Sequence, residues 1–265
     1  PPIPGVENVD YWTHRDALDN KEVPASLTIV GGGVIGMEFA SFFTSLGVQV
    51  TVVEMLDEIL GGMDKELSAM LRAEYAKKGI KFLLSTKVVG VSKGETGITV
   101  SYENADGAGT VTADKLLMSV GRRPVTKGFG LENLNLEWTE RRCIKVDEHL
   151  QSSVPGVYVC GDLNGVSLLA HTAVREAEVA VHHIIGKEDA MAYSGRFVAE
   201  NEGVNGVCKI LTAEDGTVLG AHMLGNPASE LIVLAGMAIE DGKTIEDWKR
   251  YVFPHPTVGE IFREL

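Results

Sequence analysis

The pattern of hydrophobic and polar residues changes several times along the chain. The first 24 residues are rich in proline and polar side chains and show little periodicity, which predicts an extended connector. Residues 27–30 form a short β-prone apolar run, glycines follow over 31–36, and apolar residues recur at helical spacing over 34–45. This part of the sequence predicts a strand, a glycine turn and a helix in direct succession.

The alternation continues to residue 121. Further strands are predicted at 48–53, 80–84 and 116–120, with a helix at 64–78 that Gly79 closes. Strands separated by helices predict a parallel sheet. Three short β-prone segments are separated by Gly, Asp and Asn and predict an antiparallel meander; they lie at 88–91, 98–102 and 109–111.

The second half of the chain is less regular. It predicts strands at 157–160, 208–212 and 218–224, and helices at 170–185 and 229–240. The fold class is therefore α/β, with a Rossmann-like three-layer domain that carries an antiparallel meander, followed by a loop-rich part and an α+β part.

Composition excludes several classes of protein. The formal net charge of -13 repels nucleic acid, and no apolar run reaches the ~20 residues of a membrane helix. Three cysteines, Cys143, Cys160 and Cys208, form no close pair, which favours a reducing compartment and structural thiols, with Cys160 buried. The histidines lack metal-ligand spacing, so we expect no metal site.

The glycine turn has the spacing G-x-G-x-x-G. Its glycines are Gly31, Gly33 and Gly36, with Val34 and Ile35 between the last two. In a strand-turn-helix context the first glycine makes the tight turn, and the second lets the backbone approach a pyrophosphate at the helix N-terminus. The third permits close packing of helix on strand. The loop therefore predicts a dinucleotide site.

An acidic residue ends the next predicted strand. Glu54 lies about 20 residues beyond Gly36, the spacing at which a carboxylate binds the adenosine ribose hydroxyls. Residues 54–58 include no Arg or Lys, and a carboxylate there would repel the 2′-phosphate of NADP. NAD is therefore the predicted cofactor. Glu38, in the first turns of the helix, fits a solvated face and a cofactor contact equally well.

Six motifs, in this order, resemble the pyridine nucleotide-disulphide oxidoreductases. They read IVGGGVIGME, VTVVE, SVGRRP, VYVCGD, LLAH and HPTVGE, and begin at residues 29, 50, 119, 157, 168 and 255. The resemblance covers nearly the whole chain and is closest to the branch that oxidises dihydrolipoamide. It implies that electrons pass from dihydrolipoamide to a cysteine pair, then to FAD, then to NAD.

The resemblance also implies partners and a location. The protein would be a homodimer that acts on the lipoyl group of a 2-oxo acid dehydrogenase or glycine cleavage complex, without nucleic acid or membrane partners. It would be cytoplasmic, or in the mitochondrial matrix if the source is eukaryotic.

Flavin contacts are implied in the central part of the chain. By resemblance, Asp162 would hydrogen-bond the ribityl chain of FAD. The helix that opens at Leu169, Ala170 and His171 would present backbone N–H groups to the carbonyl of the flavin pyrimidine ring, as a helix N-terminus does for an anion.

Further roles follow from the resemblance alone. Glu38 would lie beside the nicotinamide ring, and Gly121 would line the nicotinamide cleft. His255 would be the general base that takes a thiol proton at the other subunit's site, and Glu260 would orient it. The prolines on either side of His255 keep this stretch out of a helix.

The sequence departs from the family pattern in two places. The 265 residues contain neither a second, flavin-binding G-x-G-x-x-G nor a Cys-x-x-x-x-Cys pair, and near 186–191 the opening strands of the interface domain have no room. We therefore expect a linker at 1–24, the NAD-binding domain at 25–122 and the C-terminal part of the FAD domain at 123–187. An interface (dimerisation) domain, incomplete at its start, would occupy 188–265, and the chain alone would be inactive.

Other functions fit part of this evidence. A related NAD(P)-dependent disulfide reductase, such as glutathione reductase, would bind NADP with basic residues in place of Glu54. A transhydrogenase shares the fold. A non-catalytic nucleotide-binding or dimerising module would explain why no cysteine pair occurs in the sequence.

Overall fold

The computed structural model describes residues 2–187, 198–199, 207–225, 227–253 and 258–262. The chain divides into two compact units, one formed by Pro1–Gly121 with Ser194–Leu265 and the other by Arg122–Tyr193. Parallel and antiparallel sheets occur together with helices, which confirms the predicted α/β class.

The strands are β1 Ser26–Val30, β2 Gln49–Val53, β3 Lys81–Leu83, β4 Lys87–Gly94, β5 Gly97–Asn104, β6 Gly107–Ala113, β7 Lys115–Met118, β8 Val198–Ala199, β9 Val207–Thr212 and β10 Val218–Leu224. The α-helices are α1 His14–Asp19, α2 Val34–Ser45, α3 Lys65–Lys77, α4 Ala170–Ile184, α5 Ala228–Glu240 and α6 Ile245–Trp248.

A parallel sheet of order β3-β2-β1-β7 forms the centre of the first unit. Its strands are mostly apolar because both faces of a parallel sheet are covered, and Leu27, Ile29 and Val52 are fully buried. On α2, Ala40 and Phe43 turn into the same core. The strand, turn and helix predicted from residue 27 onwards are therefore confirmed.

The antiparallel meander is also confirmed, as a sheet of order β4-β5-β6. Its strands extend beyond the predicted segments towards the turns, because backbone pairing continues through polar residues, as at Ser92 with Thr99 and Lys93 with Ile98. In β5, Ile98 and Val100 are buried, and the Thr99 hydroxyl pairs with the Thr112 hydroxyl across the strands at 2.8 Å.

The first 24 residues are more structured than their composition predicts. Asp16 accepts hydrogen bonds from the Thr13 backbone N–H and hydroxyl and starts α1, so the prediction of an extended connector is wrong there. Trp12 pairs with β7, donating its N–H to the Leu116 carbonyl at 2.7 Å. Trp12 is 7% exposed, and its ring stacks on that of Phe43. Tertiary packing, which composition does not report, orders this segment.

The strand predicted at 157–160 does not form. Tyr158 makes only an isolated bridge with Gln151, and the Val159 N–H donates to the Leu150 carbonyl at 2.9 Å. An apolar run becomes a strand only beside a second continuous strand, and within Arg122–Tyr193 the described residues make isolated bridges instead.

The C-terminal part is an α+β layer. Strands β9 and β10 pair antiparallel around the turn at Asp215 and Gly216, and β8 adds in parallel to β10. Helix α5 covers this sheet with Ile232 and Ala235. Across the ranges that the structure describes, no helix has the length and apolar character needed to cross a bilayer.

Replacement of Trp12 by alanine tests whether the first residues belong to the core. We expect Trp12→Ala to lower the free energy of unfolding by about 3–5 kcal/mol, the usual cost of truncating a buried aromatic side chain. The neighbouring Tyr11 is 36% exposed, so Tyr11→Ala is the matched control and should cost far less. Urea denaturation followed by circular dichroism measures both, and equal small losses would contradict the packing described for Trp12.

Candidate functional site

Two of the loop glycines are required by the fold itself. Gly31 has φ +110°, and a Cβ built on it would lie 2.2 Å from the Ser119 carbonyl oxygen. A Cβ on Gly36 would lie 2.1 Å from the Gly31 carbonyl oxygen. Both contacts are with backbone, so a side chain at 31 would push the loop away from the end of β7, and one at 36 would push α2 away from the loop that follows β1.

Gly33 differs from the other two glycines. It is the N-cap of α2, with φ −72°, and a Cβ on it would meet no heavy atom within 4 Å. No side chain hydrogen-bonds this helix terminus, although Val34 is exposed and Ile35 is half-buried beside it. The backbone donors of the first turn are therefore left without a side-chain cap, as an anion at a helix N-terminus requires.

The Glu54 carboxylate is fixed beside this loop. Its Oε2 accepts a hydrogen bond from the Gly32 N–H at 2.5 Å, and its Oε1 accepts one from the Leu56 N–H at 2.7 Å. A Cβ on Gly32 would lie 3.1 Å from Glu54 Cγ, so the middle glycine also leaves room for the acid. Each oxygen keeps one lone pair for a further donor, such as a ribose hydroxyl.

The other predicted contacts in this unit are accessible. Glu38 is exposed on α2 and lines a groove of about 390 Å³ that also includes Leu18 and Phe42. Gly121 has φ +104°, and no heavy atom lies within 4 Å of a Cβ built on it. Exposure at Glu38 and Gly121 fits a nicotinamide contact and an ordinary solvated surface alike, so these roles stay predictions.

In the second unit, Asp162 lies on a short 3-10 helix, Gly161–Leu163, and its side chain is exposed. The residues around it are buried and tied to α4. Glu176 is 0% exposed, and its Oε2 accepts hydrogen bonds from the Gly161 N–H at 2.5 Å and from Asn164 Nδ2 at 3.0 Å. The turn thus displays one exposed carboxylate above a buried one.

Glu176 and Asn164 were not predicted as site residues. A signal for Glu176 exists in the sequence, since it shares a helical face with the buried Val179 and Ala180. A charged residue on an apolar stripe indicates a buried hydrogen-bonded group. Asn164 carries no such signal, because asparagine is common in turns.

Helix α4 begins where the sequence predicts. Leu169 is its extended N-cap, Ala170 and the His171 backbone lie in the first turn, and no side chain hydrogen-bonds this terminus. Nothing is described for the His171 side chain. The free N–H groups of this turn suit a partly negative carbonyl of a ligand.

The predicted histidine-glutamate pair is not located. His255 lies outside the described residues. Glu260 contributes its backbone to the 3-10 helix Val258–Phe262, and its side chain also lies outside what is described. Their roles stay predictions.

Two of the three cysteines, Cys160 and Cys208, lie in surroundings that disfavour the thiolate. Burial raises the pKa of the Cys208 thiol to about 11, and burial together with Glu176 raises the pKa of Cys160. Cys160 is only half-buried, contrary to the prediction, because it precedes a turn instead of lying within a sheet. Within the described ranges, no three His, Cys, Asp or Glu side chains form a possible metal site.

The fold and the two glycine turns agree with a known family. Residues 1–177 match the pyridine nucleotide-disulphide oxidoreductase family, and residues 169–265 match the dimerisation domain of the same family. The chain belongs to the pyridine nucleotide-disulphide oxidoreductases. Homologues of this chain in the family are flavoprotein oxidoreductases that use FAD and NAD(H).

Two sequence relatives, one bacterial and one human, are both dihydrolipoyl dehydrogenases. Dihydrolipoyl dehydrogenase of Geobacillus stearothermophilus is 33% identical over 287 residues, an alignment that covers 94% of this chain and 61% of that protein. The human mitochondrial dihydrolipoyl dehydrogenase is 36% identical over 309 residues and is covered to 60%, with 99% of this chain aligned. The chain thus spans about three fifths of these relatives. The alignments exceed 265 positions, so the relatives also carry internal residues that this chain lacks.

Solved structures support the fold. The HOCl-induced flavoprotein disulfide reductase RclA from Escherichia coli superimposes with a TM-score of 0.81, at 23% identity, over 100% of this chain and 70% of that one. LpdA from Mycobacterium tuberculosis superimposes with a TM-score of 0.81 at 24% identity, over 95% of this chain and 63% of that one. The predicted class of fold is confirmed.

The loop glycines give a test that separates ligand approach from packing. We expect Gly33→Ala to leave the free energy of unfolding within about 1 kcal/mol of the parent, since its Cβ meets no protein atom. NADH binding should weaken at least about tenfold, because the methyl group occupies the approach to the pyrophosphate.

Gly36→Ala is the matched variant and should do the reverse. Its Cβ meets the Gly31 carbonyl at 2.1 Å, so the loss appears first in urea denaturation. NADH fluorescence titration measures binding for both proteins. Equal destabilisation by the two alanines would refute the distinction between the glycines.

Proposed function

We propose that this chain is the NAD-binding, flavin-completing and dimer-forming part of a dihydrolipoamide-oxidising enzyme. In that enzyme electrons pass from dihydrolipoamide through a cysteine pair and FAD to NAD⁺. The relatives named dihydrolipoyl dehydrogenase support the substrate. The observation that supports NAD binding is the Glu54 carboxylate, which two backbone N–H groups hold at the glycine loop.

Glu54 supports NAD over NADP for two reasons. Its free lone pairs suit the ribose diol, and its charge opposes a 2′-phosphate at the same place. The basic residues that follow are engaged elsewhere: Arg72 forms a two-point ion pair with Glu58 at 2.8 and 2.9 Å, and Lys65 pairs with Asp57 at 2.6 Å.

The second unit fits part of a flavin. The exposed Asp162 carboxylate suits a polyol, and the uncapped N-terminus of α4 at Leu169, Ala170 and His171 suits the pyrimidine carbonyl. When bound, FAD relays the electron pair between the dithiol and the nicotinamide. The residues of this chain orient and hold it.

The dimerisation domain supports a homodimer. In it, His255 would take the thiol proton of the substrate and Glu260 would orient the imidazole. Glu38 and Gly121 would border the nicotinamide, and the domains would divide at 24, 122 and 187. The lipoyl group of a 2-oxo acid dehydrogenase or glycine cleavage complex would be the partner, in the cytoplasm or mitochondrial matrix.

Exchange of the acid at the glycine loop tests the nicotinamide cofactor. We expect the protein to bind NADH at least about tenfold more tightly than NADPH, a difference of about 1.4 kcal/mol. In Glu54→Arg the preference should shrink or invert, because a guanidinium attracts the 2′-phosphate. Isothermal titration calorimetry with both nucleotides measures the ratio.

The control for this exchange is Glu103→Arg. It makes the same change of charge at an exposed position of β5, in the same unit but on the meander. The control should keep the preference of the parent protein. Equal affinities of the parent for the two nucleotides would remove Glu54 from cofactor selection.

The role of His255 is tested in the complete, FAD-loaded enzyme. We expect His255→Gln to keep the flavin content and NADH binding while slowing dihydrolipoamide oxidation by ~10²–10⁴, the usual share of general-base catalysis. Stopped-flow reduction of the flavin by dihydrolipoamide measures the step. An unchanged rate would exclude His255 as the base.

A further inference from the structure

Glu176 is a charged side chain in the interior of the second unit. It is 0% exposed and lies on the face of α4 that carries the buried Val179 and Ala180. A buried carboxylate costs free energy unless hydrogen bonds replace the water it loses. The donors found at Glu176 are therefore informative about why an acid occupies this position.

Two donors to Glu176 Oε2 come from the turn that carries Asp162. They are the Gly161 N–H at 2.5 Å, one residue before Asp162, and Asn164 Nδ2 at 3.0 Å, two residues after it. A single carboxylate oxygen thus binds both sides of Asp162, while the Asp162 side chain itself points to the exposed surface.

Asn164 adds hydrogen bonds of its own that hold the turn around Asp162. It is 3% exposed, its Nδ2 also donates to the Val159 carbonyl at 3.3 Å, and its Oδ1 accepts from the Val166 N–H at 2.9 Å. The Asn164 N–H closes the turn on the Gly161 carbonyl at 3.1 Å. The backbone on both sides of Asp162 is therefore fixed.

Gly161 brings the turn close to α4. Its φ is +72°, and a Cβ on it would lie 3.3 Å from the Ala173 Cβ. Glu176 lies six residues after Ala170, about 9 Å along the helix axis. The same helix therefore holds the turn with a residue near its middle and offers its uncapped N-terminus about two turns away.

We propose that Glu176 is a positioning residue that holds the Asp162 carboxylate in register with the N-terminus of α4, so that both meet one flavin. The inference rests on the proposed function of Asp162 as a flavin contact. Glu176 touches no cofactor in this role. It acts through the turn, and its removal leaves Asp162 present but free to move.

The experiment is a double-mutant cycle in the complete enzyme, with the dissociation constant of FAD measured by flavin fluorescence. Glu176→Leu should weaken FAD binding at least about tenfold in the parent, and less than about twofold when Asp162→Ala is already present, since coupled residues are not additive. Glu176→Gln keeps an oxygen that accepts both N–H groups and should stay within about threefold of the parent.

A matched control is Glu178→Leu, the same substitution two residues further along α4 at an exposed position. It should leave the FAD dissociation constant unchanged. If Glu176→Leu does not fold, Asn164→Ala removes the Nδ2 hydrogen bond to Glu176 and enters the same cycle. Equal losses of FAD affinity with and without Asp162 would overturn the positioning role.

A second measurement is independent of flavin. Amide hydrogen exchange of residues 161–164 in the 265-residue chain should accelerate at least about tenfold in Glu176→Leu and stay near the parent in Glu176→Gln. Unchanged exchange overturns the inference. If exchange accelerates as expected but Asp162→Ala does not alter FAD affinity, the proposed flavin contact of Asp162 fails, and the positioning role towards flavin fails with it.

Discussion

The close approach of backbone to backbone at the glycine loop is the constraint on which the first unit depends. Helix α2 lies so near β1 that the Gly31 carbonyl occupies the space of a Cβ on Gly36, and Gly31 itself lies against Ser119 at the end of β7. These contacts bring together the carboxyl end of the parallel sheet and the N-terminus of a helix. The opening left at that edge is where a dinucleotide site forms in this architecture.

Both candidate sites use a carboxylate to fasten a glycine turn. In the first unit Glu54 accepts the N–H of Gly32, and in the second Glu176 accepts the N–H of Gly161. The difference is burial: Glu54 is half-buried with room for further donors, whereas Glu176 is fully enclosed. The first acid is placed to meet a ligand, and the second supports an exposed acid, Asp162, that can do so.

The sequence predicts much of this because local patterns determine it. Periodicity and capping residues placed α2, α3 and the meander within a few residues, and the spacing of Gly31, Gly33, Gly36 and Glu54 located the loop and its acid. The failures have a common cause. The docking of Trp12 on β7 and the missing strand at 157–160 depend on distant partners, which no local pattern reports. The apolar face of α4 indicates that Glu176 is buried, but its partners Gly161 and Asn164 lie outside that helix and are not indicated.

The open space around Gly33 has a consequence for the history of such chains. Selection on the fold alone keeps glycine at 31 and 36, where any side chain collides with backbone, but leaves 33 unconstrained. In a descendant that no longer uses a nucleotide, alanine or serine can therefore accumulate at 33 by neutral drift while its neighbours stay fixed. A side chain at 33, with glycine kept at 31 and 36, would therefore be the pattern expected of a chain that has kept this fold without the nucleotide.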